Sequence, residues 1–302
     1  MSVNAERGSA QDILRRLVEI RVQNPEAVAQ AAAARRKPTS WFGPTGRMMV
    51  IAADHPARGA LRAGPNAMAM ADRGTLLDRM CTALARPEVN GVLGTPDIIE
   101  DLLLLGALDD KVVIGSMNRG GLAGTVFEID DRFTGYDAAS IAAAGFEGGK
   151  MLLRIDPHDS ATAPTLEACS RAVSELARHR LMAMVEPFIS HRVDGRVRND
   201  LSAEAVTRSI TVSAGLGNTS AYTWLKLPVV DDADQMEAVL AASTLPVLLL
   251  GGEVPDDPES TYATWKRVLK LPTVQGLVLG RSMLYPADGD IDAHLSTAVS
   301  LL

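Results

Sequence analysis

Apolar runs of five to eight residues recur along the chain at 48–54, 91–95, 111–117, 149–155, 181–186, 222–229, 246–251 and 276–280. They are near-continuous in Val, Ile, Leu and Met rather than alternating with polar residues, as expected of strands covered on both faces. Between them lie segments of helical period, among them 75–85, 165–179, 202–216, 232–242 and 260–269. Eight such alternations predict a (β/α)8 barrel, and 302 residues suit one. A doubly wound open sheet would carry a Gly-x-Gly-x-x-Gly loop after its first strand. The first turn instead reads Asp54-His55-Pro56-Ala57-Arg58-Gly59, so the barrel is preferred.

Before the first strand, residues 10–20 and the alanine-rich stretch 25–36 predict two further helices. The whole chain, 1–302, is expected to form one barrel domain, with 1–47 as a helical extension closing the bottom of the barrel. No solenoid repeat or second domain is read from the sequence.

Polar residues matter most where barrel strands end, because the loops after them carry the chemistry of this architecture. Lys226 is the residue that needs an explanation. It interrupts the apolar run Tyr222-Thr223-Trp224-Leu225-Lys226-Leu227-Pro228, and a buried ammonium costs several kcal/mol unless it has a partner or a task. Burial favours a neutral amine, the form that attacks a carbonyl. Glu186 ends the preceding barrel strand and could serve as its acid/base partner; a purely structural salt bridge is the alternative. Lys150 and Arg154 lie four residues apart on the fourth strand and therefore share a face. Asp54 ends an apolar first strand, where pairing with Lys150 or Lys226, or holding substrate hydroxyls, would justify it. Gly251 with Gly252, and Gly280 with Arg281, follow the last two barrel strands, where backbone amides commonly hold a phosphate. Glu253 fits poorly beside such a phosphate and is expected to point away. Asn118, Arg119, Gly120 and Gly121 end the third strand. His55, His158 and His191 lack metal-ligand spacing on any one element and are expected in loops.

The net charge of −7 argues against a nucleic-acid or acidic-membrane partner. It leaves room for a phosphorylated small molecule. Cys81 and Cys169 fit buried free thiols in a reducing cytoplasm. The polar N-terminus and the lack of a long apolar run predict neither a signal peptide nor a membrane span.

These motifs resemble the class I, Schiff-base (β/α)8 aldolases of the tagatose-bisphosphate and archaeal-type fructose-bisphosphate groups. The segments that carry the likeness are 51–55, 149–156, 184–187, 224–228, 250–252 and 276–281. The resemblance implies Lys226 as the Schiff-base lysine and Glu186 as acid/base, with Lys150 and Asp54 around the carbonyl and hydroxyls. It further implies a phosphate held by Gly251, Gly252, Gly280 and Arg281, no cofactor and no metal, and a homo-oligomer; Arg154, on the lumenal face with Lys150, is expected to contact the substrate. The sequence departs from the archaeal type where Glu186-Pro187-Phe188 stands in place of a tyrosine, and Ala53 and Pro56 depart from the commoner Ala-Leu-Asp-His-Gly. The chain also resembles a bacterial family associated with inositol breakdown. That likeness implies cleavage of 2-deoxy-5-keto-gluconate 6-phosphate to dihydroxyacetone phosphate and malonic semialdehyde. A deoxyribose-phosphate type aldolase, a metal-dependent barrel lyase or hydrolase using Asp54, His55, His158, Glu186 and His191, and a non-catalytic sugar-phosphate-binding barrel remain as alternatives.

Overall fold

A computed structural model describes residues 8–118, 121–230, 232–252, 254 and 257–302. Arg119, Gly120 and Glu253 therefore lie outside the described residues. Nine strands occur among those described: β1 (Met48–Ala53), β2 (Gly91–Gly94), β3 (Val112–Ser116), β4 (Gly148–Ile155), β5 (Met182–Val193), β6 (Arg196–Asn199), β7 (Thr223–Leu227), β8 (Val247–Leu250) and β9 (Val274–Leu279). All but β6 run parallel. The order β4-β3-β2-β1-β9-β8-β7-β5 closes on itself through β4 and β5, giving the predicted eight-stranded barrel. Its helices include α3 (Arg73–Leu84), α4 (Pro96–Leu104), α5 (Ala138–Ala143), α6 (Thr162–Arg178), α7 (Ala203–Ala214), α8 (Met236–Leu240), α9 (Pro258–Val268), α10 (Arg281–Leu284) and α11 (Ile291–Val299).

Alternate residues of each strand face the interior. The lower lumen is filled by Met48, Val50, Leu93, Val112, Ile114, Met182, Met184, Leu248 and Val278, with Trp41 and Trp224 packed against them. This apolar plug leaves no polar group for a charge placed above it to rest on. Any such charge must find its partners sideways, across the strand ends. The N-terminal α1 (Ala10–Gln23) lies against α3, and α2 (Ala27–Ala34) lies against α4. From the segment after α2, Trp41 and Phe42 reach the ring of Trp224.

The fifth strand differs from the sequence expectation. It continues past Glu186 to Val193 and folds back on β6. Asp194 and Gly195 both have positive φ, 49° and 75°, the left-handed pair that a two-residue hairpin turn requires. Arg192 on this hairpin bonds Asp159 and the carbonyl of Val126, tying it to the loops after β4 and β3. No helix among the described residues is long and apolar enough to cross a membrane.

Candidate active site

Strand alternation stacks Met182, Met184 and Glu186 in one lumenal row and Trp224 and Lys226 in the next. Lys226 is 4% exposed, Glu186 8%, Lys150 3% and Asp54 3%. Four ionisable groups therefore converge above the apolar plug from four strands, β1, β4, β5 and β7. Lys226 Nζ donates to Glu186 Oε1 at 2.8 Å, and Lys150 Nζ lies 2.5 Å from Glu186 Oε2. Lys150 Nζ also donates to Asp54 Oδ2 at 2.8 Å. The result is a continuous chain, Asp54–Lys150–Glu186–Lys226, with two charges of each sign.

Neutrality makes such burial tolerable, and its electrostatics follow from it. Burial pushes both carboxyls up, but neighbouring cations win. Lys150, His55 and Lys226 hold Asp54 below its ordinary value, and Lys150 and Lys226 do the same for Glu186. Burial would depress Lys150, yet Asp54 and Glu186 together raise it, so Lys150 is a fixed cation. Lys226 stands at the open end of the chain. Among the described residues Glu186 is the one hydrogen-bond partner of its ammonium, whereas Lys150 is held from two sides.

The remaining predicted residues are more dispersed. Arg154 shares the lumenal face of β4 with Lys150 and pairs with Glu128 at 3.2 Å. Burial and the nearby Arg58 lower its pKa to about 10, against the pull of Glu128. Its guanidinium thus anchors the long loop after β3, where Arg58 and Asp131 form a second buried pair at 2.5 Å. Gly251 and Gly280 stand side by side at the ends of β8 and β9. A Cβ on Gly251 would meet Leu279 and Ser282 at 2.8 Å, and one on Gly280 would lie 2.9 Å from the Ala52 carbonyl. Gly252 has φ +66° and open space around it. Arg281 begins α10 and reaches the carbonyl of Arg62.

His55 follows Asp54 directly, with Nδ1 3.8 Å from Asp54 Oδ1. His158 turns back on Asp156 through its backbone amide, and His191 is exposed on the hairpin. No cluster of three or more His, Cys, Asp or Glu able to hold a metal ion occurs among the described residues. Ser116 was not singled out in the sequence, yet its hydroxyl is buried beside Lys150 and has no hydrogen-bond partner among the described residues. Strand alternation, carried one strand further from Lys150, would have pointed to it.

A family model for Cgl0159-like proteins matches residues 46–299. The chain belongs to the Cgl0159-like family. The crystal structure of Cgl0159 from Corynebacterium glutamicum is 52% identical to it, with a TM-score of 0.92 over 96% of each chain. A Schiff-base-forming fructose-1,6-bisphosphate aldolase is similar at 18% identity and a TM-score of 0.61, over 91% of this chain and 98% of that one. An archaeal fructose-1,6-bisphosphate aldolase, solved with its catalytic lysine covalently bound to the carbinolamine intermediate of its substrate, is similar at 16% identity and a TM-score of 0.62. That match covers 91% of this Cgl0159-like chain and 97% of the aldolase. At such identities the likeness is one of fold. No curated protein matches the chain significantly.

Proposed function

We propose that this Cgl0159-like protein is a class I aldolase, a carbon–carbon lyase that cleaves a phosphorylated keto sugar or keto acid through a Schiff base at Lys226. The observation that carries this reading is the asymmetry of the buried charge chain. One lysine is clamped between two carboxylates, and the other is held by a single carboxylate oxygen at 2.8 Å.

Attack on the substrate ketone requires the free amine. Glu186 accepts the proton that Lys226 gives up, and Lys226 Nζ then bonds to the carbonyl carbon to form the carbinolamine. While the amine is neutral, Glu186 faces one cation fewer, so its proton affinity rises. The protonated Glu186 then donates to the departing hydroxyl, water leaves, and the iminium forms. Glu186, again a carboxylate, takes the proton of the hydroxyl on the departing carbon, and the iminium accepts the electron pair of the adjacent carbon–carbon bond as that carbon leaves as the aldehyde. Reprotonation of the enamine and hydrolysis release the ketone phosphate and restore Lys226. Lys150, a fixed cation, keeps the other oxygen of Glu186 oriented throughout. Gly251, Gly252, Gly280 and Arg281 would hold the phosphate.

The fold likeness to Schiff-base-forming aldolases supports the reaction class. The choice of 2-deoxy-5-keto-gluconate 6-phosphate among possible substrates rests on the sequence resemblance alone. The test is borohydride trapping with dihydroxyacetone phosphate and a panel of ketose phosphates that includes it, followed by peptide mass spectrometry. A reduced adduct on Lys226 and activity unaffected by chelators are expected. An unlabelled Lys226 would overturn the mechanism.

A further inference from the structure

A cleft of about 410 Å³ opens outside the barrel lumen, between α9, α10 and α11, a volume usual for small-molecule sites. Its lining is partly apolar and aromatic. Tyr262 and Trp265 meet edge to face with ring centroids 5.7 Å apart, and Met283 and Pro286 join them. The rest is polar and acidic, with Glu259, Asp288 and His294. Tyr262 Oη lies 2.7 Å from His294 Nδ1, and His294 Nε2 lies 3.2 Å from Asp288 Oδ2. None of these residues belongs to the charge chain that ends in Lys226.

Which of these groups donate follows from their chemistry. The Asp290 amide donates to Asp288 Oδ1 and holds that carboxyl below its ordinary value, so Asp288 only accepts and His294 Nε2 carries the N–H. Nδ1 is then an acceptor. Burial raises the Tyr262 hydroxyl, which keeps its proton and donates it to Nδ1. Thr261 and Thr297 spend their hydroxyl protons on the carbonyls of Asp257 and Ala293, and the Ser282 hydroxyl is buried out of reach. The hydroxyl and imidazole donors of the cleft are therefore committed within the protein. What it still offers is acceptors: the exposed Glu259 carboxylate and the remaining lone pairs of Asp288 and Tyr262. No lysine or arginine lines it among the described residues. A phosphate or carboxylate would meet two like charges there. An ammonium donates without accepting, and aromatic faces attract the same cation. We propose that the cleft between α9 and α11 is a second ligand site, for a small organic ammonium with an apolar body. The site stands apart from Lys226 and does not depend on the lyase reading.

The test is a fluorine NMR titration of the protein with three probes of similar shape: para-fluorophenethylamine, para-fluorophenethyl alcohol and para-fluorohydrocinnamate. The amine is expected to bind about tenfold or more tightly than the alcohol, the factor that one charge-assisted hydrogen bond confers, and the carboxylate most weakly. Glu259→Gln combined with Asp288→Asn changes two exposed side chains. It should erase the preference for the amine while circular dichroism stays native. Lys226→Met should bind the amine as the wild type does. Equal binding of amine and alcohol by the wild type overturns the inference. A preference that survives in the double variant also overturns it, since that marks only the general pull of a chain of net charge −7. So does a preference lost in Lys226→Met, which would put the probe in the barrel lumen.

Discussion

Replacing Lys150 with methionine removes the middle cation of the buried chain and keeps its volume. Lys150 Nζ stands 2.8 Å from Asp54 and 2.5 Å from Glu186. At an effective dielectric constant of about 20, each such pair attracts by about 6 kcal/mol, set against a desolvation cost of several kcal/mol per ion. Without Lys150, Asp54 keeps only the weaker influence of His55 and Lys226. The expected loss of folding stability is about 3–5 kcal/mol, the usual cost of stranding a buried charge. Lys226→Met removes the end of the chain instead and leaves Glu186 its bond to Lys150, so a smaller loss, about 1–3 kcal/mol, is expected. The pH dependence sharpens the contrast. In the wild type, Asp54 lies below its unfolded value; its contribution is present above that value and is lost as pH falls through the folded one. In Lys150→Met, burial prevails and the folded value rises above the unfolded one, so the folded state takes up a proton as pH falls. The deficit of the variant should therefore shrink between about pH 8 and pH 5. Urea unfolding of both variants at the two pH values measures this. A Lys150→Met deficit under about 1 kcal/mol, or one that does not shrink in acid, refutes the coupling described here.

Glu186→Gln keeps the shape but cannot ferry a proton, and should lower turnover by about 10²–10⁴-fold in a steady-state cleavage assay while circular dichroism stays native. His55 lies below its unfolded value of 6.5, near 4, so the unfolded chain binds the proton first and stability falls as pH drops across that interval. His55→Phe should flatten this part of the stability profile measured by denaturant unfolding. Gly276 has φ +152°, and a Cβ there would sit 1.9 Å from the Met48 carbonyl; Gly276→Ala should fail to give folded protein. Gly252→Ala, at φ +66° in open space, should cost only about 1–2 kcal/mol by thermal melt.

The barrel was legible because its strands are buried on both faces. Each reads as an unbroken apolar run, and the runs at 48–54 and 149–155 coincide with β1 and β4 to within a residue at each end. Lys226 and Glu186 stood out for the same reason, as charges inside such runs. The hairpin after Glu186 did not, because Ser190, His191 and Arg192 look like the polar end of a strand. The Asp194-Gly195 pair was the signal for it, and reading it requires asking which residues tolerate positive φ. The bond between Asp54 and Lys150 links residues 96 apart, and only closure of the barrel brings β1 and β4 across from each other. Strand period could place Lys150 in the lumen but could not select between its two carboxylates. It takes both.

The buried Arg35 and Arg58, with the partly buried Arg154, show how arginine serves as a structural cation in this fold. Arg35 bonds Glu147 and also the carbonyls of Lys111 and Gly145. Arg58 bonds Asp131 and the carbonyl of Gly121. Arg154 bonds the carboxylate and the carbonyl of Glu128. Each is an arginine, which keeps its charge, and each uses its fork on a carboxylate plus backbone. The charge chain instead employs lysine at both cationic positions, and lysine is the cation that can give up its proton. Lys226→Arg separates the two uses. If the position needs only a charge beside Glu186, the guanidinium supplies it, and stability and ligand-induced stabilisation should stay near wild type together with any activity. If the position needs a nucleophile, stability remains within about 1–2 kcal/mol of wild type, while borohydride trapping and turnover both vanish. Retained turnover in a folded Lys226→Arg protein would end the Schiff-base reading, whatever the stability shows.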